Sequence, residues 1–283
     1  MNGKTSIVGL LGEHIENSLS PFIHQKYIRY YSLNYCYLPF QVKASLLKSA
    51  IIGIKVLGIR GVNVTIPFKE KLNKFIDFID SSAKEIGAIN TIVQKDGKLY
   101  GYNTDWTGFR ISLVKRIMND KKNKKAIVLG AGGAAKAVIY ALGKEKFSSI
   151  SIFNRNQQHA LEIKERFRRV FPRCIINSFL RYDKNLQEKI NQSDIIVNTT
   201  PLGSWYFPEQ NSLPEDIKLP SRVIVYDLIY YPHRTPLLKM AEENGNVILN
   251  GKPMLVYQAA ESFYFWTGIQ PDGKILNQIL EEI

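Results

Sequence analysis

The stretch that constrains this chain most is Ala126-Ile127-Val128-Leu129-Gly130-Ala131-Gly132-Gly133-Ala134-Ala135. A short apolar run ends in a glycine-rich turn, and Lys136 to Leu142 then reads as a helix. Gly130, Gly132 and Ala135 fill the three positions of G-x-G-x-x-G/A. The first permits the tight turn, the second lets backbone approach a pyrophosphate, and the third lets the helix pack closely on the strand. Free N–H groups and the dipole at the helix start attract phosphate. Strand, turn and helix therefore predict a dinucleotide held by Gly130, Ala131, Gly132, Gly133 and Ala134. The turn alone also suits a flavin or S-adenosylmethionine.

The following strand narrows the choice. Ser149 to Phe153 ends in Asn154-Arg155, roughly 20 residues beyond the glycines, where NAD sites carry an acid on the ribose hydroxyl. An arginine stands there instead, and a guanidinium suits a ribose 2′-phosphate through charge-assisted, often bidentate bonds. The expected cofactor is NADP, with Asn154 and Arg155 on the ribose phosphate. The missing acid also counts against a methyltransferase. As a bare pattern, Arg155 also fits an ordinary solvated surface residue.

Charge bears on partners. The formal net charge is +13 over 283 residues and the pI about 9.5, which raises a nucleic-acid reading. The densest basic run, Lys121-Lys122-Asn123-Lys124-Lys125, falls in a loop, and Arg166, Arg168 and Arg169 end an amphipathic helix, where cations complement the dipole. No nucleic-acid motif accompanies either, so the field is read as favouring small anionic ligands rather than nucleic acid. No apolar run approaches the roughly 18 residues needed to span a bilayer. The start lacks the apolar core of a signal peptide. Cys36 and Cys174 lie far apart without metal spacing. The expectation is a cytoplasmic protein, a monomer or homodimer, with free thiols, no metal and no membrane partner.

Along the chain, Ser6 to Gly12 reads as a strand. Ser20-Pro21 is a helix start with Ser20 as N-cap, and Phe22, Ile23, Tyr27 and Tyr30 form that helix's apolar stripe. Tyr35 to Phe40 is a strand, Leu46 to Lys55 a helix and Gly61 to Thr65 a strand. Pro67 opens a helix turning Phe68, Leu72, Phe75 and Ile76 inward, and Ser81 to Ile86 is a shorter helix. Asp96-Gly97 makes a hairpin of Asn90 to Val93 and Leu99 to Tyr102. This first part is an α/β unit with a mixed sheet. A connecting helix spans Thr107 to Met118. Strands at Ile150–Phe153, Cys174–Asn177, Asp194–Asn198, Val223–Tyr226 and Val247–Leu249 then alternate with helices, predicting a doubly wound parallel sheet of the Rossmann type. Helices at Met254–Trp266 and Ile275–Ile283 close the chain.

Three polar clusters in the first part are candidates for chemistry. Ser18 and Ser20 lie two apart where a helix starts, placed to hold a carboxylate together; N-capping by Ser20 is compatible with that role. Asn63 and Thr65 alternate with apolar Val62, Val64 and Ile66 and so share one strand face. Lys69 follows on the first turn of the expected helix, where its charge opposes the dipole, although a solvated lysine fits the same pattern. Asn103-Thr104-Asp105-Trp106 places Asp105 as an N-cap or as an active carboxylate. If Lys69 and Asp105 converge on one hydroxyl they form an acid–base pair: the ammonium donates to a developing alkoxide, and the carboxylate holds it in place. His14, His24, His159 and His233 have no metal spacing, and His24 reads as packed or half-exposed inside its helix.

In this order the clusters resemble the shikimate dehydrogenase family. Ser18-Leu19-Ser20-Pro21-Phe22-Ile23-His24 resembles its S-x-S-P-x-x-H, and Asn63-Val64-Thr65-Ile66-Pro67-Phe68-Lys69 its N-V-T-x-P-x-K. Gly87 to Thr91 and Asn103-Thr104-Asp105 resemble G-A-x-N-T and N-T-D. Gly130 to Ala134 fits G-A-G-G-A, Asn154-Arg155 fits N-R, and Asn198 to Gly203 resembles N-x-T-P-x-G. Tyr226 to Pro232 resembles Y-D-x-x-Y-x-P, and Asn250-Gly251 with Met254 to Ala260 resembles N-G-x-x-M-L-x-x-Q-A. The likeness runs nearly end to end.

The resemblance implies reversible, NADPH-linked reduction of the ring ketone of 3-dehydroshikimate to shikimate, a step toward chorismate and the aromatic amino acids. It implies a substrate domain over residues 1–106, completed by C-terminal helices in 250–283, around an NADP domain over 107–249, with closure of the two over substrate. It carries over Lys69 and Asp105 as the catalytic pair, and Ser18 and Ser20 as holders of the carboxylate. Asn63, Thr65, Asn90, Tyr230 and Gln258 become substrate residues, Asp105 also reaching the ring hydroxyls. Thr199 and Gly251 are added to the cofactor residues, Gly251 beside the nicotinamide. Three departures stand out. Asn156-Gln157-Gln158-His159 replace the family's usual Thr and, three residues later, a basic residue, which implies a weaker 2′-phosphate clamp. Lys252-Pro253 alters the loop after Gly251, and Trp106 replaces a common glycine. The two serines favour shikimate over quinate. A quinate/shikimate dehydrogenase, or a relative of broader ring-acid or NAD specificity, is the alternative.

Overall fold

The structure, a computed structural model, describes residues 2–115 and 123–283. It divides into two compact units, Met1–Gly108 with Leu255–Ile283, and Phe109–Met254. Lys121 and Lys122 of the basic run lie outside the described residues, as does the end of the expected connecting helix. Among the described residues no helix is long and apolar enough to cross a membrane.

The first unit contains β1 (Ser6–Gly12), α1 (Ser20–Tyr30), β2 (Tyr35–Gln41), α2 (Leu47–Val56), β3 (Gly61–Val64), β4 (Phe78–Ile79), α3 (Ser81–Ile86), β5 (Thr91–Lys95), β6 (Lys98–Tyr102) and the start of α4 (Asp105–Val114). Its sheet runs β2-β1-β3-β5-β6-β4. β1 is parallel to β2 and β3, whereas β5 is antiparallel to β3 and β6, so the sheet is mixed as expected. Asp96 and Gly97 both have positive φ, the requirement of a two-residue hairpin turn.

The second unit contains β7 (Lys125–Leu129), α5 (Gly133–Lys144), β8 (Ser149–Asn154), α6 (Gln157–Val170), β9 (Ile175–Leu180), α7 (Leu186–Gln192), β10 (Ile195–Asn198), β11 (Ile224–Asp227), α8 (Pro236–Glu243) and β12 (Ile248–Leu249). All pairings are parallel, in the order β12-β11-β10-β7-β8-β9. Counted from β7, this is the doubly wound dinucleotide order, and the direction of winding switches between β7 and β10. Residues Ala126–Leu129 and Ile195–Asn198 are buried, as strands covered on both faces must be.

α9 (Lys252–Thr267) and α10 (Gly273–Glu282) close the chain. From Leu255 onward they belong to the first unit because their apolar faces complete its core. Val256, Phe263, Trp266, Ile275 and Ile279 pack with Val8, Ile23 and Tyr27 on one face of the sheet. α2 supplies Leu47, Ile51 and Ile54 to the other face, against Val62, Phe68, Leu72 and Ile92. Each such side chain, fully buried, contributes about 1.5–3 kcal/mol. Trp266 Nε1 donates to the Ile92 carbonyl at 3.0 Å. A Cβ at position 61 would lie 2.3 Å from that nitrogen, so only Gly61 fits beneath the indole.

Several local expectations are corrected. α1 is capped at Leu19, with Ser20 already its first residue, and its inner face is Ile23, His24, Tyr27 and Ile28. Phe22 and Tyr30 are exposed, because the stripe lies one position round from the one read in the sequence. No α-helix follows Pro67. Phe68 N bonds to Thr65 O, Lys71 N to Phe68 O, and Phe75 N to Leu72 O. Successive i→i+3 turns deliver Phe68, Leu72 and Ile76 to the core with the spacing a helix would give.

His24 is wholly buried, with its ring stacked on Tyr37 at 4.4 Å between centroids. Neither ring nitrogen makes a hydrogen bond. Burial pushes the imidazole from 6.5 down to about 3, the Asn63 side chain offsetting only part of this. The folded chain thus excludes a proton that the unfolded chain binds below pH 6.5, so stability rises with pH across that window and is lost as pH falls. At pH 5 the deficit is about 2 kcal/mol. Denaturant melts near pH 7.5 and pH 5 should show the native chain losing about that much more than a His24→Phe variant. Equal losses would contradict this account of the ring.

Candidate active site

Two groups of side chains are gathered in the two units. In the first unit, Lys69 sits in the turns after β3, and Asp105 is the first residue of α4. Asp105 is not the cap of that helix. Asn103, one residue outside the N-cap position, supplies the capping side chain: its Oδ1 accepts from Asp105 N and Trp106 N. This frees the Asp105 carboxylate, and Lys69 Nζ donates to its Oδ2 at 2.7 Å. The lysine side chain is 19% exposed and the carboxylate 8%, so the ion pair is sheltered yet reachable at the lysine end. Asp105 Oδ1 accepts from Asn90 Nδ2 at 2.9 Å. Both carboxylate oxygens are therefore held, one by the ammonium and one by an amide.

Asn90 precedes β5 and is itself fixed. Its Oδ1 accepts from Thr104 N at 2.7 Å, and its Nδ2 also reaches Thr104 Oγ1 and, at 3.4 Å, Gln258 Oε1. Gln258 lies on α9, with its Nε2 bonded to the Leu255 carbonyl. Beneath these lies a buried polar layer, of which Asn63 alone is a site residue expected from the sequence. Asn63 spends its amide on protein partners: Oδ1 accepts from Tyr37 Oη, and Nδ2 reaches Thr91 Oγ1 and Ser262 Oγ. Burial pushes the Tyr37 phenol well up, so it stays a donor to Asn63. The only local signal for Ser262 is its position four residues after Gln258, one polar residue on the same face of an apolar helix. Thr65 is half-buried at the end of β3. Ser18 Oγ accepts from Ser20 N at 3.2 Å, which brings the two serines together at the start of α1.

In the second unit, Gly130 has φ 109°, and a Cβ there would meet Thr199 Oγ1 at 2.5 Å. Thr199 Oγ1 in turn donates to the Leu129 carbonyl. The turn is pinned across the point where the winding switches. Gly132 is the N-cap of α5, and a Cβ on it would meet no atom within 4 Å. The helix N-terminus therefore faces open space, as the approach of a diphosphate requires. Ala131, Gly133 and Ala134 complete the turn. Asn154 Nδ2 bonds to Asn156 O, and Asn156 caps α6 by accepting from His159 N. Arg155 stands exposed between them. These groups fit an NADP molecule: glycine turn for the diphosphate, exposed guanidinium for the ribose phosphate.

The remaining residues gather at the carboxyl ends of β10 and β11. Asp227, which the sequence reading left without a role, accepts from Asn198 Nδ2, Ile229 N and Thr235 Oγ1. Burial raises it to about 7 against the pull of those three donors. It ties together the loops that carry Thr199 and Tyr230. Gly251 N bonds to the Ile229 carbonyl, and a Cβ at 251 would lie 1.9 Å from the Leu228 carbonyl oxygen, so no other residue fits.

Comparison with known proteins gives the following. Residues 10–92 match the model of the shikimate dehydrogenase substrate binding domain. Residues 112–211 match shikimate/quinate 5-dehydrogenase, and residues 253–280 the shikimate 5′-dehydrogenase C-terminal domain. A shikimate dehydrogenase (NADP(+)) of Caldanaerobacter subterraneus subsp. tengcongensis is 42% identical over 273 residues, 95% of this chain and 94% of the relative. A crystal structure of a shikimate dehydrogenase in complex with NADP+ superposes with a TM-score of 0.89 at 36% identity, covering 100% of this chain and 96% of the other. Quinate dehydrogenase from Corynebacterium glutamicum in complex with NAD superposes with a TM-score of 0.88 at 25% identity, covering 99% of each chain.

Proposed function

The chain belongs to the shikimate dehydrogenase family, and from that premise we infer that it is an NADP-dependent oxidoreductase reducing 3-dehydroshikimate to shikimate, reversibly, in the route to chorismate and the aromatic amino acids. The observation that carries the chemistry is the Lys69–Asp105 pair at 2.7 Å. NADPH, when bound, supplies the hydride. Lys69 directs its ammonium at the ketone oxygen, stabilises the charge that develops there and delivers the proton. Asp105 holds that ammonium with one oxygen. Its other oxygen, oriented by Asn90, accepts from the neighbouring ring hydroxyl.

Around that centre, Thr65, Asn90 and Gln258 bind the ring hydroxyls, and Ser18 and Ser20 take the carboxylate beside the favourable N-terminus of α1. Tyr230 adds a substrate contact. Asn63 belongs to the substrate site through the side chains it supports, since its own amide is engaged by Tyr37, Thr91 and Ser262. Gly130 to Ala134 and Thr199 hold the diphosphate, Gly251 lies beside the nicotinamide, and Asn154 and Arg155 hold the ribose phosphate. The free thiols of Cys36 and Cys174 support a cytoplasmic location. Reduction of 3-dehydroshikimate with NADPH deuterated at the reactive nicotinamide carbon tests direct transfer. Carbon-bound deuterium in the shikimate formed is expected, and its absence with turnover intact would contradict the mechanism.

Arg155→Ala removes a charge-assisted contact worth about 1.5–3 kcal/mol. We expect kcat/KM to fall about 10- to 150-fold for NADP and to stay within about twofold for NAD. Steady-state kinetics with each cofactor decide this, and a parallel loss with NAD would remove Arg155 from the phosphate site. Asn156 and His159, where the family usually carries Thr and a basic residue, favour a second reading: the same enzyme with relaxed preference for NADP over NAD.

A further inference from the structure

We propose, resting on the functional reading above, that Ser262 and Thr91 are positioning residues that set the geometry of the substrate site without touching substrate. Both are wholly buried. Ser262 Oγ receives Asn63 Nδ2 at 2.9 Å, lies 2.8 Å from Thr91 Oγ1 and 3.1 Å from Thr104 Oγ1, and reaches the Gln258 carbonyl at 3.0 Å. Thr91 Oγ1 also receives Asn63 Nδ2 at 3.2 Å and reaches Asn90 Oδ1 at 3.1 Å. Four segments, β3, β5, the loop before α4, and α9, meet on these hydroxyls.

Each partner in the hub is a chain neighbour of a side chain assigned to the reaction. Thr91 follows Asn90, Thr104 precedes Asp105, Ser262 lies one helical turn beyond Gln258, and Asn63 lies two before Thr65 on the same strand face. Asn90 and Gln258 then act on Asp105 and the ring hydroxyls. The pairs in the hub are separated by as many as 199 residues, so nothing local fixes their relative register. An apolar quartet of equal volume would join the sheet to α9 without the cost of burying four polar groups. Directional bonds add the alignment that apolar packing lacks. That alignment matters here because a displacement of about 1 Å in a reacting group can cost about a hundredfold in rate.

The test is steady-state kinetics of full-length Ser262→Ala and Thr91→Val, with shikimate varied at saturating NADP and NADP varied at saturating shikimate. Each variant should lose about 10- to 100-fold in kcat/KM for shikimate, with the KM for NADP within about twofold of the native chain. Combining the two should cost little more than either alone, because they act through one hub. A kcat/KM for shikimate within about twofold of native overturns the proposal. So does a fall in kcat with both KM values unchanged that disappears when the rate is expressed per mole of folded enzyme, the mark of a smaller folded fraction. Should Ser262→Ala not fold, Thr91→Val, which keeps the volume, decides by the same criteria. An unmutated chain inactive on shikimate overturns the functional reading and this proposal with it, whereas an active chain with unaffected variants overturns the proposal alone.

Discussion

Lys69→Met is expected to lower kcat by about three to four orders of magnitude while leaving the KM for shikimate within a few-fold. Methionine, one atom shorter, keeps an unbranched apolar stem like that of lysine but has no ionisable proton and no charge. The ketone oxygen loses both its proton donor and its electrostatic partner, and the two losses fall on the transition state rather than on ground-state binding. Asp105 is left 8% exposed without its cation. Burying an unpaired carboxylate costs energy, so the variant should also melt at lower temperature. The check is single-turnover reduction of 3-dehydroshikimate by NADPH beside a thermal melt. Near-native turnover would remove Lys69 from the catalytic role.

Asp105→Asn is expected to lower kcat/KM by about two to three orders of magnitude. The two ends of the introduced amide differ, whereas the carboxylate accepts at both. Oδ1 of Asp105 faces the Asn90 amide donor and Oδ2 faces the Lys69 ammonium. Whichever way the introduced amide turns, its own N–H groups confront a donor. Either the lysine or Asn90 is displaced, and the ring hydroxyl loses a charged acceptor in both cases. Asp105→Glu, by contrast, keeps the charge and moves it by one methylene, so it should retain more activity than the asparagine variant if charge matters most. Ranking the two variants by kcat/KM for shikimate reads this directly.

How much of this was legible in the sequence depends on the reach of each signal. The dinucleotide turn was readable because strand, glycines and helix are contiguous, and the parallel order of the second unit follows from its alternation. Lys69 and Asp105 could be singled out separately by their chemistry, but their meeting at 2.7 Å depends on the path of β3, β5 and β6. The helix expected after Pro67 was misread because a chain of tight turns also spaces apolar residues three and four apart. Ser20 and Asp105 were each read as caps because Ser-Pro and Asp are strong cap signals. The N-cap position of α1 falls at Leu19, and Asn103 supplies the side-chain cap of α4. Ser262 escaped because its side-chain partners Asn63, Thr91 and Thr104 lie on other strands and loops, and no window of neighbouring residues contains them.

The most direct test of the central claim is a two-by-two assay of the purified chain: shikimate or quinate, each with NADP or NAD, followed by the absorbance of the reduced nicotinamide. The account predicts turnover with shikimate and NADP well above the other three combinations. Comparable rates with quinate or NAD would keep the catalytic pair and assign the chain to a broader-specificity branch. Folded protein that forms no reduced cofactor from shikimate with either nucleotide would contradict the account.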